Sequence, residues 1–196
     1  MSGVPLDRRE VVARILARRG ETLVVTGLGS TTWDAAAAGD HPNNFYLWGG
    51  MGGAAMVGLG LANAQPGRRV LTITGDGEML MGLAGLATIG VSGPSNLAIV
   101  VIDNERYGET GMQETHTAHG VDLAAVAAGA GFAAAATLRT MEEVDSWVPR
   151  LLGEPGPLFA AVKVGTGPAP MALPLRDGAA IRARFRAAVL GDRAQE

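Results

Sequence analysis

Gly75-Asp76-Gly77-Glu78 follows the β-branched run Val70–Thr74, and Asp103-Asn104 follows a second such run, Leu97–Ile102, so that Asn104 stands 28 residues after Asp76. An isolated Gly-Asp-Gly is a common turn. Here an acid and an amide leave the carboxyl ends of two apolar runs joined by one helical stretch, which sets them side by side on one edge of a parallel sheet. One carboxylate oxygen, one amide oxygen and a nearby backbone carbonyl form a hard oxygen set suited to Mg²⁺. That ion keeps few protein ligands and completes its octahedron with water and phosphate oxygens. The helix opening near Glu78 aims free amides at the same place, which favours phosphate. The expectation is a Mg²⁺–diphosphate site.

Two further turns are rich in glycine. Thr22–Thr26 runs into Gly27-Leu28-Gly29-Ser30-Thr31-Thr32, which begins a dinucleotide fingerprint but carries Thr32 where the third glycine belongs. No acid follows a second strand about 20 residues on, so a nicotinamide cofactor is disfavoured. Ser30 or Thr31 is expected to cap the next helix, with a ligand contact as the alternative. In Trp48-Gly49-Gly50-Met51-Gly52-Gly53, four glycines in five positions leave a bare backbone for a flat ligand, with Met51 standing up among them. Tight packing of a helix containing Gly58, Gly60 and Ala62 is the competing reason for those glycines.

The elements that must hold these turns follow from periodicity. Strands are expected at Thr22–Thr26, Phe45–Trp48, Val70–Thr74, Leu97–Ile102, Phe132–Ala135 and Leu158–Val164. Helices are expected at Asp7–Arg19, Thr31–Ala38, Gly53–Ala64, Glu78–Ile89, Asp122–Ala128 and Met141–Leu152. This alternation predicts an α/β fold: a doubly wound, mostly parallel six-stranded sheet with helices on both faces. A proline-rich link at Pro168–Pro174 precedes one more helix, Asp177–Leu190.

Composition narrows the chemistry. The chain has 196 residues, 29 of them glycine, which is about twice the usual ~7%. It has no cysteine, which excludes iron–sulfur clusters, thiolate zinc sites and cysteine nucleophiles. A net charge of −3 gives no footprint for nucleic acid or anionic lipid. Pro42–Gly67 and Met79–Ile102 carry no charged side chain, but asparagines, prolines and glycines interrupt both, so neither reads as a membrane span. Asp7, Arg8, Arg9 and Glu10 stand where a signal peptide would place its apolar core, so a cytoplasmic protein is expected.

Taken together, Gly75-Asp76-Gly77 with Asp103-Asn104 at this separation resembles the thiamine diphosphate motif. Trp48-Gly-Gly-Met51-Gly resembles the stretch that grips the cofactor's aminopyrimidine, and Asp103–Gln113 is similar to a loop of phosphonopyruvate and sulfopyruvate decarboxylases. The resemblance spans Leu23 to Val164. It implies a diphosphate-binding (PP) domain over residues 1–167, with 168–196 as linker and helix. It also implies side-chain metal ligands at Asp76 and Asn104 and a carbonyl ligand from Arg106. Gly49 would offer its carbonyl to the aminopyrimidine, and Met51 would be the catalytic wedge that bends the cofactor. Gly77 and Glu78 would give amides to the diphosphate, with the Glu78 carboxylate turned outward. Gly27, Gly29, Ser30, Gly50, Gly75, Tyr107 and Gly108 complete the implied cofactor contacts.

The resemblance further implies decarboxylation of a small 2-oxo acid by a split enzyme. Its partner, a PYR-domain α subunit, would bring the glutamate for the pyrimidine, in an α2β2 or larger hetero-oligomer. Tyr107, Glu109, Thr110, Gln113 and His116 are placed to face partner and substrate, with His116 a candidate proton donor and Arg106 a candidate clamp for a phosphonate or sulfonate. A carboligase or acyl/ketol transferase subunit, and a non-catalytic nucleotide-binding module, are the alternatives.

Overall fold

In a computed structural model the described residues are 5–195, so the part of the N-terminal reading that falls on residues 1–4 lies outside them. The elements in chain order are α1 (Arg8–Leu16), β1 (Leu23–Thr26), α2 (Ser30–Ala37), β2 (Asn44–Tyr46), α3 (Ala54–Ala64), β3 (Val70–Gly75), α4 (Asp76–Met81) and α5 (Gly85–Ser92). There follow β4 (Leu97–Asp103), β5 (Arg106–Tyr107), β6 (Gln113–Glu114), α6 (Leu123–Gly129), β7 (Ala134–Leu138), α7 (Met141–Gly153), β8 (Leu158–Lys163) and α8 (Gly178–Leu190). Six strands form one sheet in the order β2-β1-β3-β4-β8-β7, every pairing parallel.

Strict alternation along the central strands divides the interior in two. Ala98, Val100 and Ile102 of β4 face the side covered by α1 and α7, while Leu97, Ile99 and Val101 face the side covered by α3, α5 and α6. Both sides are apolar, so β4 reads as an uninterrupted hydrophobic run, as a doubly covered parallel strand must. Burying its seven residues completely makes β4 the spine on which the loop ends are hung.

Helix starts are set by short polar caps. Asp7, Asp122 and Asp177 each accept two backbone amides at the N-termini of α1, α6 and α8, and Thr140 with Glu143 forms a capping box on α7. The expected single helix Glu78–Ile89 is instead two, α4 and α5, broken at Gly82. The cause is close approach: a Cβ on Gly82 would lie 2.2 Å from the carbonyl oxygen of Gly52. Phe132 was expected to open a strand, but its ring packs edge-on to Phe159 at 5.8 Å and the strand begins two residues later. The short β5–β6 hairpin was not expected.

The tail packs back on the sheet edge. Phe185 of α8 meets Phe45 of β2 with ring centroids 5.4 Å apart, Trp48 Nε1 donates to the carbonyl of Leu175, and Arg184 pairs with Asp40. From β1 the chain moves outward to β2 and then crosses back to β3, so the strand order reverses between β1 and β3. A crevice opens at the carboxyl ends of the strands at such a reversal, where ligands bind.

Candidate cofactor and metal site

The crevice is lined by Leu28, Ser30 and Thr31 from the β1 exit, Gly75–Glu78 from the β3 exit, and Asn104 to Thr110 apart from Glu105 from the β4 exit, with Met51 at its rim. The crevice is open to solvent on one side, and its lining mixes apolar side chains with a few convergent polar groups, as ligand clefts do. Gly75 pairs across the sheet with Ile102, which puts Asp76 and Asn104 on neighbouring strand ends.

Asp76 begins α4 and is 2% exposed. Its Oδ2 accepts a 2.6 Å hydrogen bond from the Thr115 hydroxyl. Burial, with the charge of Asp103 adding to it, pushes its pKa up to about 6 against the opposing effect of the Thr115 hydrogen bond. A buried carboxylate beside a second one is relieved by a cation. Asn104 Oδ1 accepts from the Arg106 amide at 3.0 Å, closing a turn in which Glu105 takes a left-handed φ of 62°. No cluster of three or more His, Cys, Asp or Glu side chains is present among the described residues. The oxygen set around Asp76 and Asn104 therefore fits Mg²⁺, which is content with two side chains, a carbonyl and phosphate, and not a metal that needs nitrogen or sulfur.

A network unseen in the sequence supports this turn. Thr117 donates to Asp103 Oδ1 at 2.8 Å, and Lys163 Nζ bridges Asp103 Oδ2 at 2.8 Å and Glu105 Oε1 at 2.7 Å. Burial opposes the Lys163 charge, but its bonds to Asp103 and Glu105 outweigh that and raise its pKa. The available signal was register: Asp103 is the direct cross-strand neighbour of Lys163, the only lysine in the chain.

Three expectations need correction. The Glu78 carboxylate turns inward, not outward: the residue is 5% exposed, and Oε2 accepts from Thr74 Oγ1 at 2.8 Å. Burial raises its pKa, while Thr74 and the amides of Ala54, Leu28 and Gly52 act in the opposite direction and supply the positive dipoles that an outward carboxylate would have sought in water. Neither Ser30 nor Thr31 caps α2. Gly29 holds that position with φ 72° and no side-chain bond, and the Thr31 and Thr32 hydroxyls reach back to the Gly27 carbonyl instead. The Arg106 guanidinium is turned to Glu114, at 3.0 Å, and to the carbonyl of Glu105, so the fork expected to clamp an anion has both Nη atoms engaged and only Nε left for one.

The glycines separate by purpose. A Cβ on Gly27 would sit 1.7 Å from Glu78 Oε2, and one on Gly77 would sit 2.6 Å from the Tyr107 ring. At Gly49 and Gly75 a Cβ would meet nothing within 4 Å, and neither has a positive φ, so the chain itself gives no reason for glycine at either position. Gly50 combines the same open space with a φ of 71°. Gly49 and Gly50 are exposed and do not line the crevice, Met51 is at its edge, and His116 is exposed on a 3-10 turn outside it. Glu109 and Thr110 line it, and Gln113 is exposed.

Residues 27–162 match the family described as thiamine pyrophosphate enzyme, C-terminal TPP binding domain. The chain belongs to that family. This TPP-binding chain is 38% identical over 186 residues to sulfopyruvate decarboxylase subunit beta of Methanothermobacter thermautotrophicus, covering 95% of the chain and 97% of that protein. It is 35% identical over 170 residues to phosphonopyruvate decarboxylase of Streptomyces viridochromogenes, covering 86% of the chain but 42% of that protein. Its fold is similar to that of benzoylformate decarboxylase from Polynucleobacter necessarius, with a TM-score of 0.71 at 20% identity over 86% of the chain. The TPP-binding chain spans 35% of that structure.

Proposed function

We propose that this chain is the diphosphate- and Mg²⁺-binding subunit of a split, thiamine diphosphate-dependent decarboxylase acting on a sulfopyruvate- or phosphonopyruvate-like 2-oxo acid. The observation that carries this reading is the meeting of Asp76 and Asn104 at adjacent strand ends, beside glycine backbone at Gly75 that the chain leaves bare. The near end-to-end similarity to a decarboxylase subunit beta supports the substrate class. When bound, thiamine diphosphate supplies the electron sink for cleaving the bond between the carboxylate and the ketone carbon.

The chain's own residues bind and orient. Asp76 and Asn104, with the Arg106 carbonyl, would hold Mg²⁺, and the amides of Gly77 and Glu78 at the start of α4 would face the diphosphate. Gly49, Gly50 and Met51 would support the pyrimidine end. Buried Glu78 bonds Thr74 and lies close to the amides of Leu28, Gly52 and Ala54, so it packs between α4 and the turns after β1 and β2. Residues 1–167 would form the PP unit and 168–196 an arm braced on β2. A PYR-domain partner subunit, in a hetero-oligomer such as α2β2, would complete the site. Support for a partner comes from the position of Gly49, Gly50 and Met51 at an exposed rim, where a second surface is needed to enclose a ligand.

The complex with its partner should bind thiamine diphosphate in the presence of Mg²⁺ by calorimetry and release CO₂ from sulfopyruvate or phosphonopyruvate. Asp76→Ala and Asn104→Ala should each weaken cofactor binding at least tenfold. Binding equal to wild type in both variants would refute the metal site. Addition of an aldehyde acceptor separates decarboxylation from ligation, and a ligated product formed in preference to free aldehyde would replace this reading with a carboligase.

A further inference from the structure

The crevice carries a cation that the sequence motifs did not reveal. Arg8 is the first residue of α1, and it lines the crevice together with Ser30, Thr31, Asp76 and Asn104. Its side chain is 11% exposed and is fixed from behind: Nη1 pairs with Asp34 and donates to the carbonyl of Ser30 at 3.3 Å. Asp34 is fully buried and is shared with Arg9, whose Nε lies 3.2 Å from Oδ1 and whose Nη2 is turned to the carbonyl of Pro170. Nε and Nη2 of Arg8 have no hydrogen-bond partner among the described residues, yet neither is sealed from solvent.

Charge shows what those donors lack. The charged residues lining the crevice are Arg8, Arg106, Asp76, Glu78 and Glu109. Arg106 is engaged with Glu114, and Glu78 is held inside by Thr74. Arg106 has both Nη atoms engaged and only Nε left, whereas Arg8 keeps Nε and Nη2 together, one full edge of the fork, facing a site whose remaining carboxylates are Asp76 and Glu109. A tetrahedral oxyanion entering there is met by a planar, permanently charged fork held in place in advance, which a guanidinium anchored by a buried carboxylate provides.

We propose that Arg8 is the oxyanion clamp of this crevice, its free edge receiving a tetrahedral oxyanion, either the sulfonate or phosphonate of the substrate or a phosphate of the cofactor. This rests on the proposed decarboxylase function, but part of its test does not. Asp34 acts through Arg8 as a positioning residue.

The test uses the complex with the partner subunit and the variants Arg8→Gln and Arg8→Lys. Calorimetry with Mg²⁺ and inorganic pyrophosphate, and separately with thiamine diphosphate, reads the cofactor arm. The KM for sulfopyruvate against that for pyruvate, which lacks the second acid, reads the substrate arm. Arg8→Gln should weaken one arm at least tenfold: pyrophosphate and cofactor binding together, or the sulfopyruvate KM with the pyruvate KM unmoved. Arg8→Lys, which keeps a charge for Asp34 but loses the fork, should fall between the two. Unchanged pyrophosphate binding together with an unchanged ratio of the two KM values overturns the proposal. If Arg8→Gln does not fold, the same readings on Arg8→Lys decide. A wild-type complex that decarboxylates no 2-oxo acid refutes the function, and pyrophosphate binding alone then decides for or against Arg8.

Discussion

An alanine at position 27 would press its Cβ into Oε2 of Glu78, whereas one at position 49 would point into open space. The two glycines therefore answer to different constraints, one to packing inside the chain and the other to something outside it. Gly27→Ala should lower stability by about 1–3 kcal/mol, because the carboxylate it strikes is buried and would lose its bond to Thr74 on moving aside. Gly49→Ala should leave stability unchanged, or raise it by ~0.4–1 kcal/mol through the unfolded chain. Its cost should appear only in the assembled complex, as a loss of thiamine diphosphate affinity of about tenfold. Thermal unfolding of the isolated chain and calorimetry of the complex check both statements, and a Gly49→Ala variant with full affinity would remove Gly49 from the site. The same contrast shows where reading single residues fails. Glu78 looked like a solvated neighbour of a phosphate because its sequence context shows only α4, while the amides of Leu28, Gly52 and Ala54 that surround it come from two other loops.

At the scale of elements, the turn after β4 is held by the strand beside it. Glu105 has the left-handed φ of 62° that side chains rarely adopt, and Lys163 at the end of β8 ties its carboxylate to that of Asp103. Lys163→Met keeps the aliphatic stem but leaves Asp103, 2% exposed, without its cation. Stability should fall by about 1–3 kcal/mol, and Mg²⁺-dependent cofactor binding should weaken with it because Asn104 lies inside the loosened turn. Titration of Mg²⁺ at fixed thiamine diphosphate reads the second effect, and an unchanged midpoint would separate Lys163 from the metal site. Most of this scaffold is legible in the sequence, where six apolar runs correspond to six parallel strands: β1, β3, β4 and β8 are buried almost throughout and leave an unmistakable run, whereas β7 at the sheet edge is largely half-buried. What was not legible depends on pairings between distant segments. The break at Gly82 is imposed by the Gly52 backbone, the shift of β7 by the packing of Phe132 on Phe159, and the place of Arg8 in the crevice by an ion pair to Asp34, none of which has a local signature.

The whole molecule explains why two long stretches of sequence carry no charge. Pro42–Gly67 and Met79–Ile102 supply α3, the end of α4 and α5, which lie together on one side of the sheet. Part of each is core, but the outer surface is apolar as well: Met56 packs beside Gly85, Met81 beside Gly52, and Met81 and Val91 are 67% and 91% exposed. Met51 carries this surface to the rim of the crevice. No helix among the described residues is long and apolar enough to cross a membrane. A partner subunit seated here would account for the pattern, because an interface core is depleted of charge and enriched in methionine, and it would reach Met51 and the crevice at once. Met56→Glu with Met81→Glu would bury two unpaired carboxylates in such an interface, where even one costs several kcal/mol. The expected result is an isolated chain with an unchanged melting temperature and an affinity for the partner subunit reduced about 100-fold or more, a change of ~3 kcal/mol. Co-purification and analytical ultracentrifugation of the pair measure it. Full association of the double variant would move the interface elsewhere while leaving the crevice and the proposed metal site untouched, since neither methionine lines the crevice.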